Sequence, residues 1–298
     1  MRSLVTGPRT AEEKRALAEG ADSTGGVSVP DVTLARFIDK LRAATVCFQA
    51  GAQTLPLTSD KNTIARTITD PTCAWRAEAG PIAESDPAFE GLVFVPRSLA
   101  VYFKVSRELL EDSVNIEQAL EASLRGALSV ELDRVALEGT GTPPEPKGIS
   151  PTTNVGAVAV TAALASYDKI LDGIYEILVD NAAMPTALVG HPRTMIALAK
   201  LKEGVASSIN PVRVPALVEP IKQYMTTGIS ITLSPGTAST LYLGDFTQLI
   251  FGIRTELRIE VLRELFAVNH QYGFVAHMRC DIGLQHPQSF CKLTGIVP

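Results

Sequence analysis

Along this chain the apolar positions switch between a period of two and a period near 3.6. Leu99, Val101, Phe103 and Val105 alternate with Ala100, Tyr102 and Lys104, and that alternation predicts a half-buried strand. Residues 62–69 read the same way, with Ile64 and Ile68 facing alike. A polar, turn-rich connection around the lone Trp75 separates them, so the two strands are expected to pair as a long hairpin. An isolated hairpin is marginally stable in water, so a protruding one calls for a partner surface. From Asn115 to Glu138 the spacing turns helical. Ile116, Leu120, Leu124, Ala127, Leu128 and Val135 share a face, with Glu117, Glu121, Glu131 and Asp133 largely opposite. Two dozen residues at the helical rise span about 35 Å, and Gly139 stops the helix.

Elsewhere the pattern is shorter. Residues 1–29 are small, polar and glycine-containing. Thr10 and Glu13 form a capping box for a short helix over 10–18, which Asp22-Ser23-Thr24-Gly25-Gly26 breaks. This arm has too few apolar groups for a core of its own; it is either disordered or lies on a neighbouring subunit. Residues 30–44 predict a helix with Leu34, Phe37, Ile38 and Leu41 on one face. In the second half, Ser166 caps a helix striped by Ile170, Leu171, Ile174, Leu178 and Val179. A strand at 186–189 follows. A second helix begins at Pro192 and carries Met195, Leu198, Ala199 and Leu201, and a flexible loop is expected at 204–213. Strands are expected at 229–233, 241–243, 249–253, 257–262, 273–279 and 291–296. This order reads as α+β.

Composition narrows the function. At 298 residues and 46% hydrophobic, the chain can bury one large core or two ordinary ones. Its formal net charge of -5, from 27 basic and 32 acidic residues, argues against a protein that grips phosphates to read DNA. Loose contact with DNA, or enclosure of it, stays open. Cys47, Cys73, Cys280 and Cys291 form no C-x-x-C pair and read as small, half-buried hydrophobes. His191, His270, His277 and His286 form no ligand pattern, so neither a metal nor a cofactor is expected. The first 19 residues lack an apolar stretch, so no signal peptide is expected. The apolar run at 157–165 is too short to span a bilayer, and a soluble, cytoplasmically made protein without membrane contact follows.

No motif marks a catalytic centre. Gly139-Thr140-Gly141-Thr142 lacks the G-x-x-x-x-G-K-[ST] spacing and follows a helix, so it reads as a helix stop and turn. Glu84, Asp86 and Glu90 lie in a proline-containing loop without apolar enclosure to raise a pKa, and read as solvated charge. No G-x-S-x-G elbow exists. Trp75 is either a subunit anchor or a local loop packer.

Taken in order, these parts resemble the major capsid proteins of tailed phages that share the HK97 fold, from Asp22 to Ile296. Asp22-Ser23-Thr24-Gly25-Gly26 with Pro30 resembles the start of the mature N-arm. Trp75 to Phe89 resembles the extended E-loop, and Val105-Ser106-Arg107 with Asp112 the entry to the spine helix. Gly139-x-Gly141-Thr142 with Lys147-Gly148-Ile149 resembles the turn leaving it, and Leu243-Gly244-Asp245-Phe246 a glycine–aspartate turn of the peripheral domain.

The resemblance implies an N-terminal arm at 1–29 and an E-loop at 55–98. It implies a peripheral domain from 30–54, 99–160 and 226–298, with the spine helix at about 108–138, and an axial domain at 161–225. It places subunit contacts at Lys61, Arg66, Trp75, Arg76, Glu78, Glu84, Asp86 and Phe89 of the E-loop. On the spine helix it places them at Arg107, Glu108, Asp112, Glu117, Glu121 and Glu131. The implied role is a non-enzymatic shell of hexamers and pentamers around double-stranded DNA, assembled in a host cytoplasm with a portal and scaffold or decoration proteins. The founding member of the family links its subunits by a lysine–asparagine bond promoted by a glutamate. Here Lys61 lies in the matching hairpin, but Tyr272 stands for the asparagine and Arg279 for the glutamate, with Asn269 off register, so no such bond is expected. Many members also carry an N-terminal scaffold that is cut away. The chain reaches the mature-like arm within about twenty residues, so either no scaffold is fused or the sequence has been trimmed. A cargo-enclosing nanocompartment of the same fold and a soluble hydrolase are the alternatives.

Overall fold

The computed structural model describes residues 41, 44–69, 73–76, 84–86, 88–112, 116–203, 210–233, 236–262 and 264–297. The expected arm at 1–29 and almost all of the helix at 30–44 lie outside the described residues.

Three sheets organise the chain. The first takes β1 (Gln53–Pro56), β9 (Leu249–Leu262), β10 (Gln271–Leu284) and β4 (Arg97–Ser106), in that order. The second takes β5 (Gly156–Ala159), β11 (Phe290–Ile296), β8 (Ser239–Gly244), β6 (Ala187–Gly190) and β7 (Lys222–Met225). It thus draws strands from both sides of residues 161 and 225. The third is a ribbon of β2 (Asn62–Thr69) and β3 (Ala88–Phe94). Five helices are described: α1 (Val46–Ala50), α2 (Arg107–Asp112), α3 (Ile116–Glu138), α4 (Asp168–Val179) and α5 (Pro192–Ala199).

The long hairpin exists, but its return strand differs from expectation. β2 pairs with β3, register Asn62↔Phe94 to Thr69↔Ala88, whereas β4 pairs antiparallel with β10. β3 escapes sequence reading because it is exposed on both faces over most of its length and shows no alternation. β4 alternates as expected, since one of its faces packs on α3. The strands expected at 249–253 and 257–262 are one continuous β9. Residues 229–233 form no strand and touch Ala238 only through a bridge at Leu233.

The spine is described as two helices, α2 and α3, where a single one was expected; residues 113–115 lie outside the described set. α3 changes environment along its length. Leu124, Leu128 and Leu132 pack on the first sheet. Val135, Ala136 and Leu137 enter a second core shared with Phe246, Phe251 and Phe290. The C-terminal half is therefore enclosed on more than one side, and this corrects two sequence assignments. Asp133, expected to face solvent, is buried at 2% exposure, and Ala127, expected on the apolar stripe, is exposed. On α4 the buried stripe is Ile170, Gly173, Ile174 and Ile177, packed on the second sheet, while Leu178 and Val179 face outward. Ser166 does not occupy the N-cap position, which is Tyr167, although its hydroxyl accepts the Asp168 N–H at 3.3 Å.

The glycine motifs close the end of the spine. Segment 148–150 folds back onto it. The Gly148, Ile149 and Ser150 N–H groups donate to the carbonyls of Gly139, Ala136 and Leu137 at 2.8–2.9 Å, which satisfies acceptors a helix end leaves open. A Cβ at Gly139 would lie 2.4 Å from the Val135 carbonyl oxygen, and one at Gly148 2.5 Å from the same atom. Only glycine admits so close a backbone approach.

Candidate assembly interface

The ribbon is seated on the first sheet by an apolar cluster at its base, where Phe94, Leu57 and Ile250 are buried against Leu55, Ile64 and Leu92. The seat is cut by glycine. Cβ atoms at Gly252 and Gly283 would lie 3.0 and 2.8 Å from the Phe94 ring. Polar latches fix the angle. The Asp281 carboxylate accepts the Val95 N–H at 2.6 Å and the Ile282 N–H at 2.9 Å. Burial pushes the Asp281 pKa up, and these two bonds oppose the rise. Asp60, just before β2, pairs with Arg254 and lies 3.7 Å from Arg279. Apart from the Asp281–Ile282 bond, none of these latches was legible, because their partners are some two hundred residues apart in sequence.

Of the expected E-loop residues, Arg66 faces its register partner Glu90 as an ion pair at 2.5 Å and donates to the Leu284 carbonyl at 3.3 Å. Lys61 is exposed in the turn before β2. Trp75 is fully exposed and Phe89 is 67% exposed; Trp75 is thus no packer within this chain. Arg76, Glu84 and Asp86 are exposed near the tip, and Glu78 lies outside the described residues. The structure therefore presents two aromatic rings and several charges on a ribbon that stands off the core.

On the spine, Arg107 opens α2, with its N–H donating to the His270 carbonyl at 2.9 Å, and Glu108 lies in the first turn. Glu108 and Asp112 are exposed, and Glu121 lies 3.9 Å from Arg125. Glu117 falls in α3, but its side chain is outside the described set. Glu131 belongs to a network. Arg134 donates to it twice, at 2.9 and 2.7 Å, and also to Glu145. Glu145 further accepts the Thr140 hydroxyl at 2.7 Å and its N–H at 3.0 Å. These bonds, the Thr140 hydroxyl first and then the Thr140 N–H and Arg134, lower the Glu145 pKa from 4.5 to about 2.

A depressed carboxylate stabilises the fold above its unfolded pKa and loses that contribution as pH falls through the folded value. Glu145→Gln should therefore lower the melting temperature above about pH 4.5 and leave it unchanged near pH 2. Melting curves of both proteins across that window check this.

Sequence reading missed Asp133. Its carboxylate accepts the N–H groups of Val46 and Cys47, each at 2.9 Å. It caps α1 from another helix, since Thr45 at the N-cap position offers no side-chain bond. Asp245, inside the expected glycine–aspartate turn, accepts the Thr247 N–H at 3.1 Å. A Cβ at the preceding Gly244 would lie 2.5 Å from the Phe290 ring.

No helix among the described residues is long and apolar enough to cross a membrane. A spine helix between two sheets, with a hairpin reaching out from the first, is the subunit of an HK97-like shell. The chain belongs to the phage capsid family, whose model matches residues 25–295. It is 22% identical to the major capsid protein of Klebsiella oxytoca phage phiKO2, over 93% of this chain and 70% of that one. Among solved structures it is similar to the capsid of a native GTA (gene transfer agent) particle, with TM-score 0.63 and 18% identity over 85% of this chain and 90% of that one. It is also similar to a structure from Mycobacterium phage Bobi, with TM-score 0.67 and 15% identity over 84% and 89%.

Proposed function

We propose that this chain is the major capsid protein of a phage or gene transfer particle. It assembles with its own copies, as hexamers and pentamers, into an icosahedral-type shell enclosing double-stranded DNA. The agreement with the phage capsid family over residues 25–295 carries this reading. The exposed hairpin supports it, since a two-stranded ribbon gains stability by covering its faces. The acidic balance suits a container that contacts its cargo loosely. On this reading residues 161–225 surround the five- and six-fold axes, and a portal and scaffold or decoration proteins complete the particle. Negative-stain microscopy of the expressed protein tests it. Rings or shells are expected; a monodisperse monomer overturns it, and particles carrying a cargo protein in place of nucleic acid overturn the DNA assignment.

The shell is held without a lysine–asparagine bond. Arg279, aligned to the promoting glutamate, braces the hairpin root by donating to the Pro96 carbonyl at 3.4 Å, with Asp60 at 3.7 Å. Tyr272, aligned to the asparagine, packs on the spine core. Boiled particles should run on a denaturing gel as one band near 31.8 kDa. A covalent ladder is the contrary result.

A further inference from the structure

The core in which the spine helix ends is built around four enclosed aromatic rings, Phe246, Phe251, Phe290 and Tyr242, each at 1% exposure or less. Of these, Tyr242 alone brings a hydroxyl into the core. Burying a phenol lowers stability unless its hydroxyl finds a hydrogen-bond partner. Tyr242 lies on β8, opposite Val189 of β6 and Lys292 of β11, and Thr240 shares its face of the strand. That face meets Glu138, the last residue of α3, and Ser150 of the returning segment.

Several polar groups at this seam are partnered. The Ser230 N–H donates to Glu138 Oε2 at 3.0 Å. Lys292 Nζ donates to the Ser150 carbonyl at 2.6 Å, and the Ser150 N–H donates to the Leu137 carbonyl at 2.8 Å. Glu138 Oε1 and Tyr242 Oη are the exceptions. Both atoms are enclosed, and neither has a hydrogen-bond partner among the described residues. They are also neighbours. Burial pushes the Tyr242 pKa up and the Glu138 charge adds to the rise, while the Ser150 and Thr240 hydroxyls oppose it. Burial likewise pushes Glu138 up, against the Ser230 bond and the Arg134 charge.

The chemistry of the two atoms selects what can join them. A carboxylate oxygen accepts and a phenol donates, yet the two make no direct bond. Protonating Glu138 does not help, since an acid O–H at Oε1 has no acceptor in reach among the described residues either. A bridging group has to accept from the phenol and donate to the carboxylate. Water does both. A metal or alkali cation accepts no hydrogen bond, and the Lys292 ammonium on Ser150 already supplies positive charge here. Internal waters make about three hydrogen bonds to buried polar groups, and Oε1, Oη and the hydroxyl of Ser150 or Thr240 provide that number.

We propose that one internal water binds between Glu138 and Tyr242 and ties the end of the spine helix to the middle strand of the second sheet. The site belongs to the single subunit and does not depend on assembly. It gives a reason for a tyrosine in a core that three phenylalanines otherwise close. Through Glu138 the same water also supports the loop at Ser230, so four separate segments share one hydrogen-bonded centre.

The sign of one substitution tests it on the full chain. Removing a buried hydroxyl that bonds nothing leaves stability unchanged or raises it, whereas removing one that holds a water lowers it. Tyr242→Phe should therefore lower the melting temperature by about 2–4 °C, the shift expected for the loss of one hydrogen bond. In a Glu138→Ala background the same change should shift it by less than half as much, because the water has already lost one anchor. A second measurement needs no variant. A density map of the wild-type protein fine enough to show ordered water should carry a peak within about 3.2 Å of both Oε1 and Oη. An unchanged or raised melting temperature in Tyr242→Phe, equal shifts in the two backgrounds, or a map without that peak overturns the assignment. So does a wild-type melting temperature that differs between sodium and potassium buffers of equal ionic strength, if Glu138→Gln removes the difference, because the occupant is then a cation.

Discussion

Replacing residues 70–87 with an Asn-Gly turn abolishes particles and leaves a folded monomer. The cut falls where the register ends, at Thr69↔Ala88, and Asn-Gly favours the tight turn that joins paired strands. The seat of the ribbon is untouched: Phe94, Leu57 and Ile250 remain buried, as do the Arg66–Glu90 pair and the Asp281–Val95 bond. What disappears is Trp75, fully exposed and supported by no core in its own chain, together with the acidic tip. If Trp75 anchors a neighbour as proposed, its loss costs about 2 kcal/mol or more per contact, as for a hot spot, and a shell repeats that loss at every subunit. Sedimentation velocity separates the outcomes. A monomer with a native melting temperature is expected, and normal particles refute the role given to the loop.

Asp133→Ala lowers stability by about 2–4 kcal/mol, as measured by urea unfolding, because it orphans one buried and one part-buried donor. The Val46 and Cys47 N–H groups open α1, and Asp133 is the acceptor that the described residues offer them. Two effects compete. Burial pushes the Asp133 pKa up, so removing the carboxylate relieves a desolvation cost. Each unsatisfied buried N–H, however, costs about 1–3 kcal/mol, and the deleted side chain leaves a void between α1 and α3. The orphaned donors win. Asp133→Asn keeps one acceptor and should lose less than the alanine variant. Equal losses from both would mean that a single amide oxygen cannot stand in for the two carboxylate acceptors.

The two halves of the fold were unequally legible. β4 was readable because its inward face meets a core and its outward face meets water, so the alternation survives in the sequence. β3 obeys no such rule. Its two faces are alike, and only pairing with β2 makes it a strand. The spine helix was readable in extent from Ile116 to Glu138, but not in environment. A single-face rule fails where a helix passes between two sheets, which is why Asp133 was assigned to solvent. The glycines at 139, 141 and 148 were readable as a motif. That Gly139 and Gly148 crowd the same Val135 carbonyl is a fact of the return path. The exposure of Trp75, Arg76, Glu84, Asp86 and Phe89 was legible in the polar, turn-rich loop that carries them. The latches at the hairpin root were not legible, since Asp60 meets Arg254 and Arg279, and Asp281 meets Val95, only after the sheet forms.

The unequal burial of α3 also has a mechanical meaning. Its last turns are gripped by two cores and by the returning segment 148–150, while Gln118, Ala119, Ala122 and Ser123 in the first turns lie open. The helix is held from several sides at its last turns and by one face only, through Ile116 and Leu120, at its first. A load on the first turns is therefore expected to bend them before it moves the last turns, where two cores and segment 148–150 meet.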